Sequence, residues 1–210
     1  MTSPSDANRR PIAARDTGWA RAIAGALART AITPNQISLA SVFVAALGSA
    51  AVIWRPGDAS FLLCAVCIQL RLLCNLLDGM VAVEGGKGSP LGRIYNEFPD
   101  RVTDSLFVVA LGYAAGWPAL GWFGALAAVG TAYVRVFGGA CGLTQDFRGP
   151  VAKQQRMAIA TLALLLAIGE AHWNGTRYVL IAASALIALG SLVTCATRTR
   201  AIAAQLVRQG

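Results

Sequence analysis

Arg71-Leu-Leu-Cys-Asn75-Leu-Leu-Asp78-Gly79-Met-Val-Ala82-Val83 closes an apolar run that starts near Phe61. The run is long enough to cross a bilayer as a helix. Arg71, Asn75 and Asp78 therefore fall where polar groups are costly and usually serve a function. At helical spacing, Arg71, Asn75, Asp78 and Ala82 share one face. Downstream, Asn96, Asp100 and Asp104 recur at i, i+4 and i+8, again on one face. Two helices joined by a short polar loop are antiparallel neighbours, so these oxygen-bearing faces can meet. A pocket of carboxylate and amide oxygens without His or Cys favours a hard divalent cation, Mg²⁺, Mn²⁺ or Ca²⁺. The alternative is that Arg71 pairs with a carboxylate and the other polar groups are merely interfacial.

The whole chain fits this setting. Residues of the set AVILMFWYC make up 56% of its 210 residues, 13% are charged, and mean hydropathy is +0.56. Too few polar residues remain to cover a soluble domain. Six helices of about 20 residues each would use about 120 residues and leave short loops. Disorder, collagen and secreted disulfide scaffolds are excluded. So is a nucleic-acid-binding protein, because the cations behind the net charge of +8 sit beside apolar spans.

The expected fold is an all-α membrane protein with six transmembrane helices after an N-terminal, cytoplasmic, amphipathic interfacial helix. Residues 1–14 read as a polar tail, and no signal peptide is expected because the first apolar run starts late and carries arginines. Residues 15–32 read as the interfacial helix, with Trp19, Ile23 and Leu27 opposite Arg15, Arg21 and Arg29; a plain linker is the alternative. Residues 33–197 hold the six spans, near 37–54, 61–83, 96–115, 119–137, 156–171 and 178–195. The first opens on Thr33-Pro34-Asn35-Gln36, a capping box with proline at its start. Residues 198–210 read as a basic cytoplasmic tail.

Charge sets the orientation. The loops on one side hold Arg55 and Arg177, while thirteen arginines and lysines, among them Lys87, Arg148, Lys153 and Arg198, fall on the other. The positive-inside rule puts both termini in the cytoplasm, with Trp54, Trp117, Trp122 and Trp173 as anchors at the outer boundary. Five cysteines lie in or beside apolar stretches; Cys64 and Cys67 read as packing residues and not as redox or zinc chemistry. His172 is the sole histidine and falls in an expected loop. Five of the ten carboxylates, Asp78, Glu84, Glu97, Asp100 and Asp104, crowd into one short stretch.

That stretch also carries a family pattern. Asn75-x2-Asp78-Gly79-x2-Ala82-Val83-x8-Gly92-x3-Asn96-x3-Asp100 resembles the signature of the CDP-alcohol phosphotransferases, D-x2-D-G-x2-A-R-x8-G-x3-D-x3-D, without a gap. Asp78, Gly79, Ala82, Gly92 and Asp100 match. Asn75 and Asn96 replace aspartates, and Val83 replaces arginine. A second register would use Asp100 and Asp104 as the last two acids but loses Gly92.

The resemblance implies a metal-dependent transferase of phospholipid synthesis. It moves a phosphatidyl or related group from a CDP-linked lipid, such as CDP-diacylglycerol, to an unidentified hydroxyl acceptor and releases CMP. It implies Mg²⁺ or Mn²⁺ (Ca²⁺ in third place) held by Asn75, Asp78, Asn96, Asp100 and Asp104. It also implies Asp100 as base on the acceptor, and nucleotide contact at Gly79, Ala82 and Gly92. Arg135, Lys153 and Arg156 then form a basic pocket for an acceptor or lipid phosphate, in a homodimer of the bacterial inner membrane. Two rival readings are an inactive relative that binds nucleotide or headgroup, motivated by Asn75, Asn96 and Val83, and a small transporter component.

Overall fold

A computed structural model describes residue 15 and residues 17–209. Among them are seven α-helices and no strands: α1 (Gly18–Ala28), α2 (Pro34–Trp54), α3 (Asp58–Val83), α4 (Gly92–Ala114), α5 (Pro118–Ala140), α6 (Lys153–Trp173) and α7 (Tyr178–Gln209). Five of these, α2, α3, α5, α6 and α7, are long and apolar enough to cross a membrane. At 23 residues α4 has the length too, but it carries Arg93, Glu97, Asp100, Arg101 and Asp104. The described residues fall into two compact units, one up to Phe107 and one from Val108 onward.

In the first unit, α2 packs along α3 and α1 docks on α3. The expected capping box is present: Gln36 N donates to Thr33 Oγ1 at 3.3 Å, and Thr33 N donates to Gln36 Oε1 at 2.9 Å, with Pro34 at the first turn. The facing side of α2 is built of small residues, Ser41, Ala45, Gly48 and Ser49, all buried. A Cβ at Gly48 would lie 2.7 Å from Cys67 Cβ and 3.2 Å from Cys64 Cα, so the glycine is what lets the two backbones approach. Cys64 and Cys67 are buried free thiols in that seam, as packing residues should be.

Helix α1 buries Ala20 and Ala24 against Ile37, Leu76, Leu77, Met80 and Val81. Trp19 and Ile23 stay exposed, whereas Leu27 leans on that cluster. The loop after α3 is tied back to the chain before α2. Lys87 Nζ donates to the main-chain carbonyls of Thr30 and Ile32, and Asn35 Nδ2 donates to Ser89 Oγ at 3.4 Å.

In the second unit, α5 and α6 both pack on α7. The turn Gly116-Trp117-Pro118 needs glycine, since Gly116 has φ of +77°. Just beside it α4 and α5 cross in near backbone contact: a Cβ on Gly112 would come 2.4 Å from Gly121 Cα. The loop before α6 lies pressed on α7. A Cβ at Gly190 would sit 2.2 Å from Val151 Cγ2, and Val151 N donates to Thr194 Oγ1 at 3.2 Å.

The stretch read as a basic tail, 198–210, follows the last expected span without a break in the helix as far as Gln209. Helix α7 continues unbroken through Cys195 to Gln209, 32 residues in all. At 1.5 Å per residue it is about 48 Å long, more than the hydrocarbon core of roughly 30 Å. Its continuation is stabilised because Arg198, 3% exposed, donates to the carbonyls of Thr131 and Arg148, each at 2.7 Å. Helices otherwise start and stop within a few residues of the expected limits, running a turn longer at ends where polar residues had obscured the pattern.

Candidate active site

The polar residues of α3 and α4 form two linked arrangements within the first unit. Asp78 is buried at the C-terminal end of α3. Ser38 of α2 donates to its Oδ2 at 2.5 Å, and the same hydroxyl lies 3.2 Å from the carbonyl of Pro34. The other oxygen, Oδ1, is buried and has no hydrogen-bond partner among the described residues. Such an atom in a dry setting costs about 1–3 kcal/mol, and a bound cation would remove that cost.

Two turns earlier on the same face, Arg71 is 2% exposed. Its Nη2 forms an ion pair with Asp100 Oδ1, and its Nε donates to Thr103 Oγ1 at 3.0 Å. The pairing of Arg71 with a carboxylate, one of the two readings of the sequence, is thus present. Thr103 Oγ1 in turn donates to the main-chain carbonyl of Asp100 at 3.3 Å. Asp100 Oδ2 has Arg101 Nη2 at 3.5 Å, and Arg101 Nε lies 3.5 Å from Glu97 Oε1. The charges of Arg71 and Asp100 both act on Asp78, so the two arrangements are electrically one.

The remaining expected ligands divide. Asp104 is buried, Asn75 is half-buried and Asn96 is exposed. No three His, Cys, Asp or Glu side chains converge on a common point among the described residues. The donor set is nevertheless all oxygen, and the partnerless Asp78 Oδ1 suits a hard cation.

Gly79 and Gly92 leave room: a Cβ at Gly79 would meet only Arg15 Nη2 at 3.8 Å, and one at Gly92 only Ser89 Oγ at 3.7 Å. Ala82 is half-buried. Neither glycine is consumed by helix packing, unlike Gly48 or Gly112.

The second unit gathers cations. Arg135, Lys153, Arg156 and Arg198 are all buried. Arg135 Nη1 donates to Gln145 Oε1 at 2.5 Å, and its guanidinium lies 5.3 Å from the Phe147 ring centroid. Arg156 Nη1 donates to Thr131 Oγ1 at 3.3 Å and to Val151 O at 3.0 Å. Nearby, Asp146 accepts from Arg148, which holds its carboxyl below the ordinary range. Sequence reasoning missed Ser38, Thr103, Gln145, Phe147 and Arg198. Ser38 had a signal, being a hydroxyl in an apolar span; the loop residues had none.

The sequence matches the CDP-alcohol phosphatidyltransferase family over residues 31–197. The chain belongs to that family. As a CDP-alcohol phosphatidyltransferase it is a membrane enzyme of phospholipid synthesis, moving a substituted phosphate from a CDP-linked donor to a hydroxyl and releasing CMP, with a divalent cation.

Its relatives include the archaetidylinositol phosphate synthase of Aeropyrum pernix, 34% identical over 68% of this chain and 71% of that protein. Another is the phosphatidylinositol phosphate synthase of Mycobacteroides abscessus, 26% identical over 86% and 81%. The fold is shared with the phosphatidylinositol phosphate synthase of Mycobacterium tuberculosis. That enzyme has been solved with CDP-DAG (TM-score 0.72, covering 87% of this chain and 92% of that one) and with manganese and citrate (TM-score 0.73, covering 87% and 88%), at 19% identity in both cases.

Proposed function

We propose that this CDP-alcohol phosphatidyltransferase uses CDP-diacylglycerol as donor and a phosphorylated polyol, of the inositol phosphate kind, as acceptor. The observation that carries the reading is Asp78: a signature carboxylate, buried, with one oxygen held by Ser38 and the other without a donor among the described residues. The relatives' names and the CDP-DAG bound to the solved relative support the substrate classes.

Asn75, Asp78, Asn96, Asp100 and Asp104 are the residues assigned to Mg²⁺ or Mn²⁺. When bound, the cation neutralises negative charge on the donor pyrophosphate. Gly79, Ala82 and Gly92 admit the cytidine nucleotide against the helices. Asp100 accepts the proton of the acceptor hydroxyl at Oδ2, since Oδ1 is engaged by Arg71. The hydroxyl oxygen bonds to the phosphatidyl phosphorus, and the bond from that phosphorus to the bridging oxygen breaks. CMP leaves. Arg135, Lys153 and Arg156 are the residues assigned to phosphate, acting as fixed positive charges.

The same reading makes α4 the third of six spans, with its charged turns at the cytoplasmic face. Helix α1 lies at the headgroups, with Trp19 and Ile23 toward lipid. The polar tail at 1–14 lies outside the described residues. Both termini are cytoplasmic, the membrane is a bacterial inner membrane, and the protein works as a homodimer.

CMP release by purified protein from CDP-diacylglycerol, with Mg²⁺ or Mn²⁺, tests this against inositol phosphate, glycerol phosphate and unphosphorylated inositol. Release is expected with a phosphorylated acceptor. Donor binding without release for any acceptor points to an inactive nucleotide-binding relative.

A further inference from the structure

Resting on the reading of Asp78 and Asp100 as metal-site carboxylates, we infer that this site takes one divalent cation, at Asp78, and that the Arg71 guanidinium supplies the second positive charge, on Asp100. The family spacing has four acidic positions. Here Asn75 and Asn96 occupy two of them, so those positions carry two negative charges instead of four. Oxygen cages hold hard cations more tightly as ligand charge rises. Even with Asp104 counted, two dications against three carboxylates would leave uncompensated positive charge in a buried place.

Arg71 resolves that imbalance. It lies one turn before Asn75 on the same face of α3, and burying it without a partner would be costly. Its Nη2 meets Asp100 Oδ1 and its Nε is fixed by Thr103 at 3.0 Å, so two of its three nitrogens are committed to α4. The third, Nη1, is buried and has no acceptor among the described residues. A planar guanidinium with one donor to spare can take a phosphate oxygen.

Asp78 is the complementary case. Among the described residues no cation forms an ion pair with it; Ser38 is the donor to Oδ2, and Oδ1 has none. Its unsatisfied oxygen is what a single cation would fill. Asp100 Oδ1 is taken by Arg71, while Oδ2 lies 3.5 Å from Arg101 Nη2.

The test counts Mn²⁺ bound per chain, by calorimetry and electron paramagnetic resonance, on the full-length protein in nanodiscs. Wild type is expected to bind one ion. Asp78→Asn should weaken that binding by at least about 10–100-fold, the loss seen when even an outer partner of a metal ligand is removed. Asn75→Asp with Asn96→Asp, keeping Arg71, should bind one ion more tightly. Adding Arg71→Gln to that pair should raise the count to two, whereas Arg71→Lys alone keeps it at one.

Two ions on wild type, or on the double variant with Arg71 in place, overturn the assignment of Arg71 while leaving the metal reading intact. So does a count of one in a folded triple variant. If the triple variant does not fold, the counts on wild type and the double variant decide. No saturable Mn²⁺ on wild type, or binding indifferent to Asp78→Asn, removes the metal reading itself and this inference with it.

Discussion

Ser38 Oγ stands 2.5 Å from Asp78 Oδ2, a contact between helices α2 and α3 across 40 residues of sequence. It joins the first turns of one helix to the last turns of the next at the depth where the signature begins. Ser38→Ala should leave Asp78 short of its donor and destabilise the protein by about 1–3 kcal/mol. Thermal unfolding in detergent reads this, and an unchanged midpoint would show the hydroxyl to be dispensable. Mn²⁺ should partly restore the variant, since a bound cation compensates the same carboxylate.

Asp100→Asn keeps the size of the side chain but removes its basicity. Turnover should fall by about 10²-fold or more, the range for losing a general base, with donor affinity less affected. The same change leaves Arg71 facing an amide, so stability has to be measured beside rate. Near-normal turnover would move the role to Asp104 or Glu97.

Labelling of single cysteines in a cysteine-free background tests orientation. Reagent applied to intact cells should reach positions near Asp58, Trp117 and Asn174. It should not reach the loop around Lys87. Reaction at Lys87 from outside would invert or break the six-span assignment, α4 being the span in question.

Gly190→Ala places a methyl 2.2 Å from Val151 Cγ2. Overpacking of this kind costs about 1–3 kcal/mol. Val151→Ala should relieve it, giving a favourable coupling in a double-mutant cycle. Strict additivity would mean that the loop moves aside freely, contrary to its hydrogen bond with Thr194.

Much of this was legible in the residues alone, where local chemistry decides. Thr33, Pro34 and Gln36 announce a helix start, and Cys64 and Cys67 announce a packed seam. The face holding Arg71 and Asp78 follows from spacing on one long apolar helix. What was not legible depends on partners far along the chain. Arg198 reads as the start of a tail until the carbonyls of Thr131 and Arg148 take its charge. Ser38 reads as a small residue until Asp78 is opposite it.

Asn96 illustrates a different limit. A stripe at i, i+4, i+8 drifts by about 40° per step on a helix of 3.6 residues per turn. Over two steps Asn96 and Asp104 diverge, and the structure exposes the first while burying the second. The charged first turns of α4 likewise kept its hydropathy below that of its neighbours, although its length matches theirs.

The close seat of residues 149–151 on helix α7 has a consequence for genetics. Gly149, Gly190 and Thr194 touch no proposed ligand, yet a side chain added at either glycine collides with its opposite number. Lys153 and Arg156 follow directly in the chain, so alleles at these three positions should copy the phenotype of losing those cations. A saturation scan will draw one continuous intolerant patch there, and second-site suppressors will separate its halves. Val151→Ala can rescue a lesion at Gly190 but not one at Arg156.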